Sequence, residues 1–203
     1  MEVFEYLDEL FPNPRCELIY NRDYEFLIAV CLSAQTTDKK VNMVTAKLFK
    51  TYDSLKKLSE ADIDDIKKII HPIGTYNKKA MFVKKISKIL LEKYEGVVPN
   101  THNDLESLPG VGHKTASLVL GTLYNFPEFP VDTHITRVSK RLGFSKYNDD
   151  VVSIERKLKK IVKKENWIRI HHQLVLFGRY YCTAKKPLCY TCKIKDKCNR
   201  IIE

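Results

Sequence analysis

No stretch of this sequence is apolar for long enough to span a bilayer. Its opening, Met1-Glu2-Val3-Phe4-Glu5, is acidic where a secretory signal would be basic. Together these absences argue against a membrane-spanning or exported protein and predict a cytoplasmic one. No run alternates apolar and polar residues strongly enough for a half-buried strand, so a sheet is not expected. There is no internal repeat and no low-complexity segment, which removes solenoids and disordered linkers from consideration. Acid is also short. Asp and Glu number 25 against 35 Lys and Arg, a net charge of +10 over 203 residues. That surplus favours a polyanionic partner, and charge alone does not separate nucleic acid from an anionic membrane.

What is present reads as helix. The hydrophobic fraction of 44% is ordinary for a chain with a real core. Asp23 is placed to cap a helix through Phe26, Ile28, Ala29 and Leu32, and Asp38 to cap another with Val41, Val44 and Leu48 on one face. Shorter helices are predicted around 54–59 and 62–70. A longer one follows from Lys78, with Met81, Val83, Ile86, Ile89 and Leu90. Pro72, Gly74, Gly96 and Pro99 punctuate these pieces. Pro127-Glu128-Phe129-Pro130 cannot continue a helix and marks the passage into a second helical lobe.

Thr101 with Asp104 forms a capping-box pattern that opens a short helix ending near Leu108. Leu108-Pro109-Gly110-Val111-Gly112-His113-Lys114-Thr115-Ala116 follows, then the helical run Ser117 to Tyr124. Gly110 and Gly112 let the backbone turn tightly without a Cβ to hold a ligand away. The unpaired amides opening the next helix can hold a phosphate oxygen. This is a helix-hairpin-helix, a device that grips a DNA backbone without reading bases. Lys114 at its lip is either one more phosphate-binding lysine or a nucleophile. A deprotonated amine can attack a sugar C1′, expel the base and leave a Schiff base. For that it needs a dry site, another cation or a carboxylate base. Asp132, in Val131-Asp132-Thr133-His134, offers the carboxylate and is equally placed to be a plain N-cap.

Of six cysteines, four crowd the C-terminus as C-x6-C-x2-C-x5-C: Cys182, Cys189, Cys192 and Cys198. In a reducing compartment such a set binds metal, and four thiolates suit either zinc or a [4Fe–4S] cluster. Cys31, inside an apolar run, reads as a small buried hydrophobe. Cys16 has no functional reading. Lys185, Lys186, Lys193, Lys195, Lys197 and Arg200, against Asp196 and Glu203, make the tail locally basic and a candidate phosphate contact. His134, His171 and His172 are assigned to structure or hydrogen bonding. Arg137, Lys140 and Arg141 share a helical face that could reach DNA.

From Leu108 through Arg137 the chain resembles the catalytic core of the endonuclease III family of helix-hairpin-helix DNA glycosylases. The resemblance gives Lys114 the role of nucleophile and Asp132 that of catalytic carboxylate. The adenine-glycosylase branch usually carries serine at the lysine position and a thymine-mismatch branch tyrosine, so Lys114 implies a bifunctional glycosylase and lyase. Leu32-Ser33-Ala34-Gln35-Thr36-Thr37-Asp38 is similar to the segment whose glutamine fills the gap left by the flipped base, here Gln35. Asp38 falls on a family aspartate lining the lesion pocket. Ile73-Gly74-Thr75-Tyr76-Asn77 departs from the family pattern, because Thr75 stands where an apolar leucine wedge is usual. The cysteine spacing, preceded by His171-His172-Gln173 and Gly178-Arg179-Tyr180, matches the family's iron–sulfur loop.

The resemblance runs from about Asp23 to Cys198. It implies an all-α fold of two helical lobes, with a helix-hairpin-helix and a C-terminal [4Fe–4S] loop. The expected lobes are residues 16–126, and 1–15 joined with 127–203, with DNA across the groove between them. The implied activity is base-excision repair: removal of oxidised pyrimidines from duplex DNA, and cleavage at abasic sites by β-elimination through a lysine Schiff base. The partner is duplex DNA carrying damaged bases or abasic sites. The protein is expected to be a monomer at the nucleoid, in the cytoplasm. Gly110, Val111, Gly112, Gln35, Thr75, Lys185 and Lys186 are the expected DNA contacts. A monofunctional mismatch glycosylase and a non-catalytic DNA-binding module remain as alternatives.

Overall fold

The computed structural model describes residues 2–199. Every regular element among them is helical, and none is long and apolar enough to cross a membrane. The backbone divides into two compact units, Glu17–Tyr124 and Met1–Cys16 with Asn125–Glu203. Helix α1 (Val3–Leu10) opens the chain in the second unit. Helices α2 (Asp23–Leu32), α3 (Asp38–Thr51), α4 (Leu55–Glu60), α5 (Ile63–Ile70), α6 (Tyr76–Tyr94), α7 (His102–Glu106) and α8 (His113–Leu123) build the first. Helices α9 (Thr133–Arg141), α10 (Val151–Ile161) and α11 (Trp167–Tyr180) complete the second.

In the first unit α2 is the hub. It is buried from Tyr24 through Leu32 and packs on α3, α6 and α8. A helix apolar all round has no solvent face and must sit inside. Leu27 and Ile28 are 0% exposed, and truncating either to Ala would cost about 2–5 kcal/mol. Cys31 lies in this core as expected, and burial pushes its thiol up to about 12.

Three local expectations are corrected. Asp23 is the first helical residue rather than the cap; Arg22 holds the cap position without a side-chain bond. Glu25 accepts the Asn21 amide, one residue before the cap position, at 2.8 Å. Asp38 likewise yields to Thr37, whose hydroxyl accepts the Lys40 amide. Helix α6 starts at Tyr76, two residues before the expected Lys78, because the left-handed backbone of Thr75 sets the boundary. Its face is Val83, Ile86 and Leu90, while Met81 turns outward.

In the second unit α11 packs on α1 and α9, and α10 on α9. Leu7, Phe129, Ile135, Val138, Ile154, Leu158, Leu174 and Phe177 form the core. Gly178 lets α9 approach, since a Cβ there would meet the Cβ of His134 at 2.9 Å. The Nδ1–H of His171 donates to the Pro130 carbonyl at 2.6 Å, tying α11 to the proline-flanked turn. Gln173 donates to Asp8 at 2.8 Å and to the Phe11 carbonyl at 3.0 Å, tying it to α1. His171 is thus structural, as expected.

Candidate functional site

The hairpin is built by α7, the turn 107–112 and α8. Thr101 caps α7 as expected, its hydroxyl accepting the Asp104 amide at 3.1 Å and donating to the Asp104 carboxylate at 2.7 Å. The two glycines turn out to have different reasons. Gly110 has φ +81°, and a Cβ there would strike the Phe82 ring at 2.4 Å, so the turn itself requires it. Gly112 has an ordinary φ of −105°, and a Cβ there would meet nothing within 4 Å. Its missing side chain keeps the outer surface clear. Gly112 is also the N-cap of α8 and supplies no side-chain cap, so the first amides of α8 are left for an outside acceptor. Val111 is buried and its amide donates to the Leu108 carbonyl at 3.2 Å. It holds the turn from beneath. Lys114 is exposed in the first turn of α8.

In the same unit, Gln35 and Thr75 both lie at positive φ, +55° and +54°. Such backbone is uncommon outside glycine and costly for a β-branched residue. The Thr75 hydroxyl donates to the Gly74 carbonyl at 2.7 Å, which accommodates the turn. Strain of this kind collects at functional loops and persists only where surroundings enforce it. For Gln35 the enforcing group is Lys79, 4% exposed, whose burial lowers its pKa. Its ammonium donates to the Ala34 carbonyl at 2.7 Å and the Thr36 hydroxyl at 3.0 Å. Sequence reasoning missed Lys79. In a chain with this many lysines its signal is only its place one turn into α6, on the same face as Val83 and Ile86.

In the second unit, Asp132 is the N-cap of α9, and its Oδ1 accepts the Ile135 amide at 2.8 Å. His134, next but one, is half-buried and its pKa is lowered, by burial first and by Arg137 and Arg179, against the opposing pull of Asp132.

The cysteine loop follows α11. Cys182, Cys189, Cys192 and Cys198 line one cavity with Leu142, Phe177, Tyr181, Pro187 and Leu188. Burial and the nearness of the other three thiols raise the pKa of Cys192. The loop is secured by Ile194, 1% exposed in the core of the unit. The expectation that Arg137 and Arg141 reach DNA is corrected. Arg137 donates to the carbonyls of Gly178, at 2.6 Å, and Cys182, at 3.1 Å. Arg141, 3% exposed, donates to the Thr183 carbonyl at 2.7 Å and the Ala184 carbonyl at 3.0 Å, and lies 3.4 Å from the Cys182 sulfur. Both are spent shaping the loop. Lys140 lies over the Tyr147 ring, 5.4 Å from its centre.

Of the tail's basic residues, Lys193 pairs with Glu9 and Lys197 with Glu2. Lys185, Lys186 and Lys195 are exposed. Arg200 and Glu203 lie outside the described residues.

Residues 28–164 match the HhH-GPD superfamily of base excision DNA repair proteins. Endonuclease III of Rickettsia felis is 44% identical over 197 residues, spanning 97% of this chain and 92% of its own. Endonuclease III of Bacillus subtilis is 41% identical, spanning 95% and 88%. A solved structure of a trapped endonuclease III–DNA covalent intermediate superposes with a TM-score of 0.92 at 41% identity, covering 96% of this chain and 92% of that one.

Proposed function

This chain belongs to the endonuclease III family of the HhH-GPD superfamily, and from that premise we propose that it excises oxidised pyrimidines through Lys114 and cuts the strand beside them. It is a DNA glycosylase and abasic-site lyase of base excision repair. The observation that carries the residue assignment is an exposed lysine, Lys114, two residues beyond Gly112, the N-cap that leaves the first amides of α8 without a side-chain cap. A relative captured as a covalent intermediate with DNA supports a nucleophilic side chain.

The amine of Lys114 attacks C1′ of the damaged nucleotide. The C1′–N bond breaks and its electron pair leaves with the base. Nitrogen then gives up a proton and shares its pair with C1′ as the C1′–O4′ bond opens, O4′ leaving as a hydroxyl, and this forms the Schiff base. Loss of a C2′ proton expels the 3′ phosphate, and hydrolysis of the imine frees Lys114. Asp132 acts as the carboxylate that takes up and returns protons, a role worth about 10²–10⁴ in rate. The water-poor surroundings come with bound DNA, since Lys114 is exposed in the chain alone. Gln35 faces the orphaned base, Thr75 lies beside the flipped nucleotide, and Asp38 lines the lesion pocket. Gly110, Gly112 and the first amides of α8 hold a phosphate. Acting on chromosomal DNA, the protein works at the nucleoid as a monomer.

The four-cysteine loop holds a [4Fe–4S] cluster. An all-sulfur donor set around one apolar cavity fits it. Arg141 against the Cys182 sulfur offsets the negative charge that four thiolates would bring. The cluster serves to fix the loop, because lysine attack transfers no net electrons.

Borohydride reduction on a duplex with one abasic site tests the assignment. The parent should give a covalent protein–DNA adduct and Lys114→Ala none; undiminished trapping in the variant would overturn it. Asp132→Asn keeps a capping oxygen, so base removal should fall by about 10³ while stability holds. Near-normal turnover would leave Asp132 as a cap alone.

A further inference from the structure

The hairpin brings together three side chains that neither the sequence motifs nor the proposed chemistry uses. His102 and Glu106 stand four residues apart on α7 and so share one face. His113 opens α8 on the far side of the turn. One oxygen of Glu106 lies 3.0 Å from Nδ1 of His102 and 3.1 Å from Nδ1 of His113. The two imidazoles stack, centres 4.8 Å apart and planes 17° from parallel. One donor atom from each of the three residues lies within 4.8 Å of the other two.

Two imidazoles and a carboxylate are a donor set that suits zinc, nickel or copper(II) rather than magnesium or calcium, which want oxygen alone. The spacing suits it as well. Ligands held about 2.0–2.2 Å from one ion stand roughly 3–3.5 Å from each other, and the separations of 3.0 and 3.1 Å already fall in that range. The two histidine donor atoms, within 4.8 Å of each other, close toward that range as the exposed His113 ring turns, and the ion replaces whatever protons the two Nδ1 atoms carry between the rings and the carboxylate. The side chains of His102, Glu106 and His113 retain 33%, 39% and 61% of their exposure, so an ion enters directly and water completes its coordination.

We infer that His102, Glu106 and His113 form a surface site for one divalent first-row transition ion of the zinc class. The ion would join the end of α7 to the start of α8 across the turn, and would place a double positive charge one residue from Lys114.

The full-length protein, its iron content first verified so that the cysteine loop is occupied, is dialysed against micromolar zinc chloride. The parent should retain one zinc per chain beyond its iron, and its thermal midpoint should rise. His102→Asn, Glu106→Gln and His113→Gln, tested separately, should each weaken zinc retention about tenfold or more and cancel the shift. Copper(II) as a second probe should show coupling to two nitrogens by electron paramagnetic resonance, which a thiol site would not give. Equal zinc in parent and variants, no zinc in the parent, or a copper signal without nitrogen coupling would each overturn the site. Metal content and unfolding are read without catalysis, so failure here leaves the repair function untouched.

Discussion

The ammonium of Lys79 donates to the Ala34 carbonyl at 2.7 Å, directly before Gln35, and to the Thr36 hydroxyl directly after it at 3.0 Å. One buried cation therefore grips both shoulders of a residue held at φ +55°. Gln35 cannot relax without breaking a charge-assisted bond, which is stronger than a neutral one. The pair links a helix face to the loop expected to enter the duplex.

Lys79→Met should release that loop. Affinity for a lesion duplex should fall about tenfold, matching removal of one charged hydrogen bond. Gln35→Ala added to Lys79→Met should then cost little more, since both remove the same arrangement. Fluorescence anisotropy with the four proteins of this cycle checks it. Additive losses would show that Lys79 supports folding alone.

The two hairpin glycines should separate cleanly. Gly110→Ala meets both a positive φ and the Phe82 ring at 2.4 Å, so it should destabilise the fold by about 2–4 kcal/mol. Gly112→Ala meets nothing. It should unfold like the parent in urea yet bind duplex DNA more weakly, because the new methyl stands where a phosphate approaches. Equal behaviour of the two variants would deny the division of roles.

His172 should make the protein acid-sensitive. Burial, helped by Arg179, lowers its pKa from 6.5 to about 4. Above pH 6.5 the imidazole is neutral in both folded and unfolded chains. Between pH 6.5 and 4 the unfolded chain takes up a proton that the folded chain refuses, so stability falls as pH drops through that window. Its contribution is about 3 kcal/mol at most. Urea unfolding at pH 7, 5.5 and 4.5 should give a steeper loss for the parent than for His172→Gln; parallel losses would contradict the argument.

Much of the fold was legible because it rests on local signals: helical periodicity around Val83, Ile86 and Leu90, the Thr101–Asp104 box, and proline at 127 and 130. The hairpin was legible as a motif, but the separate duties of Gly110 and Gly112 were not. Those depend on Phe82, 28 residues away in sequence and adjacent only after folding. Arg137 and Arg141 misled for the same reason. A helical face of three cations reads as exposed until a segment 41 residues later supplies carbonyls that engage two of them. Lys79 and the trio of His102, Glu106 and His113 have no motif, and tertiary packing alone makes them visible.

The tail's lysines offer a test of whether its charge acts residue by residue. By composition they form one basic patch, but Lys193 is paired with Glu9 and Lys197 with Glu2, whereas Lys185 and Lys186 are exposed. An exposed ion pair stabilises by only about 0–1 kcal/mol, yet it sets which cations are already neutralised when DNA arrives. Replacing Lys185 and Lys186 together with Ala should flatten the slope of log affinity against log salt by roughly two units, near 0.9 for each phosphate no longer neutralised. Replacing Lys193 and Lys197 together should change the slope much less. Affinity would still drop somewhat, because Glu9 and Glu2 would be left uncompensated and repel the duplex across a Debye length of about 8–10 Å. The measurement is a salt titration of binding to an undamaged duplex, so that lysine chemistry does not intervene. Equal flattening by the two pairs would mean that the tail acts as diffuse charge and that its ion pairs open on binding. No flattening by Lys185→Ala with Lys186→Ala would place the tail away from the phosphates and confine the footprint to the hairpin and the Gln35 loop.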